Sequence, residues 1–531
     1  MLELKVARSG LQTAIIRGRW LHSAYDPVRE AERFATESLA GCPSCVIVLG
    51  SGLGYLLEAL SKRLPRVALL AFYYTEEVAR LRSHAYPAWY PTCGTSAADF
   101  LRAHLSELDV EGLKVLEWPP SALIFPQVSL QTQTHVRQVV AELAGSLRTT
   151  IAVGKRWLRN VLANFLWIDN VVSGRPFVGG APLVIAASGP SLNRSAQIIQ
   201  RYRDSLTLWA VPSAVPTLRE MGIRPDLVVL TDPGYYALYH LPFCESEHLP
   251  VAMPLSAARG VWRVSTQVYL FCQPLFCETE ILARACVRVP KIASHGTVAG
   301  SALELARHLG VATPVVFCGL DMCYRDIIAH ARPNAFDSLL YRSSTRLDPH
   351  YHRVFQRAQE FAPHRRGPCI RTSGPLETYA GWFSSLRRAG TPVYRLLPSR
   401  VQLSGLTALD EPAFVDLLRG RAAKISLTSA AYPRYQKRKR LVCDLLESWR
   451  EQVNTVWFQI NNKRGLDSLI SDPVVLHLAY FTDSQAIMEI KRMYRTAPDS
   501  NPIEQTLALL DRVRTFLARL SDRLGIADDA A

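Results

Sequence analysis

Leu183-Val184-Ile185-Ala186-Ala187-Ser188-Gly189-Pro190-Ser191-Leu192 is the stretch on which the fold turns. Five apolar residues without a polar break read as a strand buried on both faces, and Ser-Gly-Pro-Ser reads as a tight turn. Leu192 to Arg201 then carries helical spacing. The stretch is therefore a strand–turn–helix unit. Glycine lets the backbone approach a neighbour or a ligand closely, and the helix start behind it offers free N–H groups and a positive dipole end. Phosphates are held this way in α/β folds. A plain tight turn has the same sequence, so both readings stand at this point.

Downstream the same alternation continues. Leu206–Val211 is a strand, and Ala214–Met221 a helix stopped by Gly222. Asp226–Leu230 is a third strand, ending at Thr231-Asp232-Pro233; Val251–Leu255 and Val268–Cys272 are two more. Ser301–Leu309 is a helix with Gly310 as its stop, and Val315–Cys318 a buried strand ending at Gly319-Leu320-Asp321. Strands alternating with helices predict an α/β fold with a doubly wound, mostly parallel sheet.

Asp232 and Asp321 stand just past strand ends, where ligands bind in an open parallel sheet. A carboxylate there can serve a ribose hydroxyl, a metal or a reacting hydroxyl; the plainer reading is a turn or N-cap Asp. Ser294-His295-Gly296-Thr297 precedes a second helix and adds hydroxyl and backbone donors. His330 opens an Arg-rich stretch over 323–372, which also holds His350, His352 and His364 and reads as a functional loop or lid. Histidine is the usual general base near neutral pH.

Nearer the N-terminus, Val46–Leu49 is a strand followed by Gly50-Ser51-Gly52-Leu53-Gly54 and an apolar helix, Tyr55–Lys62; Val67–Phe72 is the next strand. The full G-x-G-x-x-G spacing is missing, because Tyr55 stands three places after Gly52. A structural turn and a cofactor turn are both open there. A helical stretch over 128–172 carries Asn160 and Asn164 on one face. After 408 the chain reads as helices, Ala413–Lys424, Leu441–Gln459 and Pro502–Leu524, with Tyr435-Gln436-Lys437-Arg438-Lys439-Arg440 as a solvated basic face. HExxH, the P-loop and G-x-S-x-G are absent, which removes the commonest hydrolase and NTPase readings.

At 531 residues the chain is too long for one ordinary domain, and 48% apolar with 20% charged residues excludes disorder and fibres. The net charge is +15, and 51 of the 61 basic residues are Arg. That excess fits an anionic partner or an Arg-rich genome. The apolar runs are too short for a membrane span, and charges break up the N-terminal stretch, so a cytoplasmic protein is expected. Eleven Cys in no framework spacing fit reduced thiols, and Cys42-Pro43-Ser44-Cys45 has no second pair for zinc.

Several segments, in order, resemble one family. They are His22-Ser23-Ala24-Tyr25-Asp26-Pro27 with Glu30-Ala31, the glycine turn at 50–54, Trp157 with Asn160 and Asn164, and Ala187 to Leu192. Gly222-Ile223-Arg224-Pro225-Asp226 and Thr231-Asp232-Pro233 follow, then Ser294 to Ala299, Gly319-Leu320-Asp321, His330, and Arg371-Thr372-Ser373 with Leu376, Tyr379 and Trp382-Phe383. From about 20 to 405 the chain resembles the bacterial motility accessory factor (Maf) family of flagellin glycosyltransferases. The resemblance implies an N-terminal α/β domain (1–127), a helical linker (128–175), a central sialyltransferase-like Rossmann-type domain (176–407) and a helical C-terminal domain (408–531).

It also implies transfer of a nonulosonic, sialic-acid-like sugar from a CMP-activated donor to Ser or Thr of flagellin, in support of flagellar assembly and motility. Gly189, Pro190 and Ser191 match the turn that touches the nucleotide in related sialyltransferases. Ser294, Gly296 and Thr297 join them as donor-binding candidates, with Tyr324. His330, Asp321 and Asp232 are the catalytic candidates. No metal or other cofactor is required; flagellin and a nucleotide sugar are the expected partners, and nucleic acid is not. Two stretches depart from the family. Ala210-Val211-Pro212-Ser213 lacks an expected acidic residue, and Val393-Tyr394-Arg395-Leu396 lacks an Asn after Tyr. The central domain also resembles an archaeal pterin diphosphokinase, which would use ATP and Mg²⁺ with Asp232 and Asp321 as ligands. A non-catalytic flagellin-binding assembly factor is the third reading.

Overall fold

The computed structural model describes residues 2–525, apart from 40, 42, 82–84, 243, 266, 360–361, 364–369, 387–390, 400, 419–424, 463–465 and 497–501. Cys42, His364 and Lys424 thus lie outside the described residues. The chain forms two units: Met1–Gly154 with Glu451–Phe516, and Lys155–Arg450 with Leu517–Ala531.

In the first unit, β1 (Leu2–Val6), β2 (Gln12–Ile16) and β3 (Arg19–Trp20) make an antiparallel sheet. A parallel sheet follows from β4 (Cys45–Leu49), β5 (Ala68–Phe72), β6 (Ala88–Trp89) and β7 (Lys114–Glu117), in the order β6-β5-β4-β7. The glycine-rich turn after β4 is filled by the chain itself. The His22 ring lies between Tyr55 and Trp118, and its Nε2 accepts the Leu53 N–H at 2.8 Å. The Ser121 hydroxyl donates to the Gly50 carbonyl at 2.7 Å, and the neighbouring cavity holds only about 10 Å³. The donors of this turn serve His22 and the fold, and the turn is structural.

The helices Asp467–Ser471, Pro473–Thr482 and Ser484–Thr496 belong to this first unit. Their apolar residues, Val475, Leu478, Ala479 and Ile487, are buried, and the Tyr480 hydroxyl donates to Glu107. The C-terminal region is helical, as expected, but it does not stand apart over 408–531: an amphipathic helix needs a partner for its apolar face.

The second unit holds the expected parallel sheet. Its strands are β8 (Val171–Arg175), β9 (Leu183–Ala186), β10 (Thr207–Ala210), β11 (Leu227–Val229), β12 (Val251–Met253) and β13 (Val268–Leu270). After them come β14 (Val315–Cys318), β15 (Tyr324–Arg325), β16 (Ala362–Pro363), β17 (Ile370–Thr372), β18 (Val393–Leu396), β19 (Thr407–Leu409) and β20 (Ser426–Ser429). Ten of these pair in the order β19-β18-β14-β9-β10-β11-β12-β13-β8-β20, all parallel except β20 on β8. β15, β17 and β16 form a small antiparallel sheet.

Every residue of β9 is fully buried. Helices cover both faces of such a strand, and burying each Leu, Val or Ile contributes about 1.5–3 kcal/mol. The chain steps outward from β9 to β13, then returns to place β14 on the other side of β9. The strand order reverses between β9 and β14, which opens a crevice at their carboxyl ends.

Three expectations need correction. The stretch 128–175 is not all linker: the helix Pro126–Trp167 ends before β8, whose Val171 and Val172 pair with Val268 and Tyr269. The stretch 323–372 is not a bare loop, since it contains the helices Ala335–Arg342 and His350–Gln359 and β15 to β17. The basic run 435–440 is not wholly a solvated face. Its Arg438 is buried, pairs with Asp169, and donates to Leu166 O at 3.1 Å and Pro433 O at 2.7 Å. Among the described residues, no helix is long and apolar enough to cross a membrane.

Gly52 adopts φ +55, and a Cβ there would lie 2.4 Å from His22 Nε2. Gly52→Ala should cost about 2 kcal/mol or more, by strain and displacement of His22. Urea unfolding of the variant against the parent checks this.

Candidate functional site

The crevice between β9 and β14 brings together half of the expected residues: Gly189, Pro190, Ser191, Asp321 and His330. Ser188 to Ser191 form the turn after β9, and Gly319 to Asp321 the turn after β14. The two turns interlock through Gly189 N–H donating to Gly319 O at 2.8 Å. Asp321 Oδ2 accepts the Ser191 N–H at 2.7 Å, so a carboxylate of the chain itself sits at the start of the Leu192–Arg201 helix. A helix N-terminus favours negative charge, and Asp321 supplies it. The amide at Ser191 is therefore committed, and the expected phosphate seat on that amide is already held by Asp321.

Asp321 is buried, and burial pushes its carboxyl above the ordinary value against the opposing pull of Ser191, Ser399 and Arg395. Arg395 is buried too, and burial lowers its pKa although Asp321 works the other way. For both groups loss of water outweighs the pairing. The Arg395 guanidinium donates to Ser399 Oγ at 3.1 Å and to the Val401 carbonyl, while Ser399 Oγ donates to Leu320 O at 3.1 Å. Three buried atoms here have no partner: Ser191 Oγ, Asp321 Oδ1 and Arg395 Nε. Buried polar groups are normally paired, so such a cluster marks a place where a ligand can supply the missing bonds.

His330 is in the same crevice. Its Nδ1 is 3.1 Å from Ser188 Oγ, which also accepts the Ser213 hydroxyl at 2.7 Å. Burial lowers the His330 pKa below its ordinary 6.5, so the imidazole is neutral at pH 7. The following segment is pinned: Ala331 N–H donates to Ser188 O at 2.8 Å, Arg332 N–H to Asn193 Oδ1 at 3.0 Å, and Thr217 Oγ1 to Pro333 O at 3.0 Å. His240, also buried, has its pKa pushed down to about 4 by burial and by His330.

The remaining candidates are more scattered. Asp232 is exposed beyond β11, and its Oδ1 accepts the Gly234 N–H at 2.6 Å, the bond of a turn Asp. Ser294, Gly296 and Thr297 form the loop before the Val298–His308 helix. Gly296 sits against Tyr379, whose hydroxyl pKa is raised by burial and by Tyr324. Tyr324 lies on β15, paired with Arg371 of β17. His295 stacks on Trp382 with ring centroids 4.2 Å apart and lies 3.6 Å from Glu304. Among the described residues, no group of three or more His, Cys, Asp or Glu is placed to hold a metal ion.

Asn160 and Asn164 act as a clamp. Asn160 Nδ2 donates to Pro233 O at 3.0 Å and Ser256 O at 3.2 Å, and Asn164 Nδ2 to Leu255 O at 2.8 Å and Ala257 O at 2.9 Å. Glu278 completes it, accepting the Leu255 N–H at 2.7 Å and the Ser256 hydroxyl at 3.2 Å. Ser213, His240, Glu278 and Arg395 were not among the sequence candidates. The two departures from the family, at 210–213 and 393–396, were the signal that pointed at Ser213 and Arg395.

This arrangement defines a doubly wound α/β protein whose crevice lies at the sheet's switch point. Residues 155–326 match a family model described as 6-hydroxymethylpterin diphosphokinase MptE-like. Relatives include uncharacterized proteins of Treponema pallidum (strain Nichols). One is 27% identical over 298 residues, covering 55% of this chain and 61% of the relative; another is 27% identical over 142 residues, covering 25% and 68%. The chain thus spans about three fifths of the first relative's length. A solved structure, the MAf glycosyltransferase from Magnetospirillum magneticum AMB-1, superposes with a TM-score of 0.59 at 12% identity, over 98% of this chain and 91% of that one. The Maf-type architecture expected from the sequence is therefore the fold of this chain.

Burial pushes the Glu278 pKa from 4.5 up to about 8, so the folded protein holds a proton that the unfolded chain releases. Its contribution to stability is present below pH 4.5 and is lost as pH rises through 8. Urea midpoints measured across that range should fall for the parent and fall less for Glu278→Gln.

Proposed function

We propose that this protein is a glycosyltransferase that moves a nonulosonic, sialic-acid-like sugar from a CMP-activated donor to a Ser or Thr hydroxyl of flagellin, in the cytoplasm. The observation that carries this reading is the neutral His330 imidazole, held on the Ser188–Ser213 hydroxyl pair beside the switch point. The likeness of fold to a Maf glycosyltransferase supports it.

In this mechanism His330 donates Nδ1–H to Ser188 Oγ, which leaves the Nε2 lone pair free. Nε2 takes the proton of the acceptor hydroxyl as its oxygen attacks the anomeric carbon. The bond from that carbon to the phosphate oxygen breaks, and CMP leaves with the electron pair. Attack opposite the leaving group inverts the anomeric centre. Because Asp321 holds the Ser191 amide, the phosphate is served by the Ser191 hydroxyl and by Tyr324 and Arg371 across the small sheet. Asp321 and Arg395 keep the turn in place, and Asp232 shapes the loop beyond β11.

A second reading rests on the MptE-like match: transfer of a diphosphate from ATP to a pterin, dependent on Mg²⁺. Assays of CMP-sugar against ATP plus pterin, with and without Mg²⁺, separate the two.

His330→Ala should lower sugar transfer by roughly 10²–10⁴-fold with an unchanged circular dichroism spectrum. The parent rate should rise with pH through an apparent pKa below 6.5, because burial favours the neutral ring. Intact-mass measurement of flagellin from a strain lacking this gene should show loss of the glycan; an unchanged mass would reject the reading.

A further inference from the structure

A cleft of about 1530 Å³ opens in the second unit, and residues of the Pro333–Arg342 segment form one of its walls. It contains none of Gly189, Ser191 or Asp321, and its chemistry differs from that of the crevice. Trp167, Tyr235, Tyr239 and Trp262 line it, and the first three are 41%, 60% and 44% exposed. Arg259, Arg263, Arg342 and Arg523 line it as well, and all four are exposed. Among the described residues the guanidinium groups of these four make no ion pair or hydrogen bond. Arg219 at the rim already pairs with Glu247 at 2.8 Å, and the acids in the lining are Glu220 and Asp522. The pKa of Arg159 is lowered by burial and then by Arg523, Arg259 and Arg156, so these guanidinium groups crowd one another.

Like charges gathered in excess of counter-charges cost folding energy. The cluster therefore fits a ligand that brings the negative charge with it. Small-molecule pockets measure about 300–1,000 Å³, and this cleft is larger. Trp, Tyr and Arg are the residues that dominate protein-recognition hot spots. Size and lining together favour an extended polypeptide over a nucleotide. The wall also starts three residues after His330 and is pinned at Asn193 and Thr217, which ties the cleft to the segment that carries the proposed base.

We propose that this cleft docks an acidic polypeptide segment bearing aromatic side chains, and that this segment belongs to the acceptor of the sugar. The second half of that statement rests on the transferase reading; the binding itself does not. A fluorescein-labelled random Glu–Tyr copolymer, titrated against the full chain, is the probe. Its fluorescence polarisation should rise on binding, and the affinity should fall with salt. Arg259→Glu and Arg523→Glu should each weaken binding roughly tenfold, as charge reversal replaces an attraction by a repulsion. Trp262→Ala should weaken it at unchanged salt dependence, and Arg33→Glu, outside the cleft, should not.

Equal binding of a Lys–Tyr copolymer would overturn the proposal. So would affinity indifferent to both charge reversals, or displacement of the copolymer by CMP or by an RNA oligonucleotide. Thermal unfolding of each variant shows that the fold is kept. His330→Ala should bind the copolymer normally. Copolymer binding without any sugar transfer by the parent would reject the transferase reading and leave the cleft as a docking site.

Discussion

β9 and β14 end in two turns that share less space than one methyl group would fill. A Cβ on Gly319 would lie 2.3 Å from Ala187 O, and one on Gly189 would lie 2.5 Å from Asp321 Oδ2. Gly319 also has φ +67, which glycine adopts at little cost. With both side chains absent, the turns hydrogen-bond directly and Asp321 reaches the amide at the start of the Leu192–Arg201 helix. Everything else in the crevice hangs on this contact. It fixes where the helix begins, where Ser188 faces His330, and where Ser399 and Arg395 close against Leu320.

Burial, more than pairing, sets the chemistry around that contact. Asp321, Arg395, His330, His240 and Glu278 are all shifted toward their neutral forms, and desolvation is the largest cause in each. A dry crevice strengthens each hydrogen bond made inside it, and makes an unpaired polar atom costly. The cleft lined by the Pro333–Arg342 wall is the opposite: exposed and rich in arginine. At the cleft basic residues outnumber acidic ones, with five Arg against Glu220 and Asp522 in the lining.

β9 to β14 were legible because each is a short apolar run between turn residues, and such a signal needs only neighbours in sequence. β14 and the Leu192–Arg201 helix occur where the pattern places them. β8 and β20 were not legible in the same way. β8 follows directly on a helix of 42 residues and hides in its shadow, and β20, Ser-Leu-Thr-Ser, is an edge strand that becomes a strand only by pairing with β8. The C-terminal helices were visible as helices, but their assignment to the first unit depends on which apolar surface is free to receive them.

The sequence by itself determined the α/β class, the turn after β9, and the short set of polar residues at strand ends from which a site could be built. Only the tertiary structure decided which of them work together. Asp232 and Asp321 have the same signature, an Asp just past a buried strand, yet one holds its own turn and the other caps a helix 130 residues away. Ser188 and His330 are 142 residues apart, and they meet because the strand order reverses between β9 and β14. The glycine turn at 50–54 fits a structural turn or a ligand turn by sequence alone, and His22, from outside the turn, takes its Leu53 N–H. Local pattern reports what a residue can do; the partner that completes or blocks it comes from elsewhere in the chain, and packing selects it.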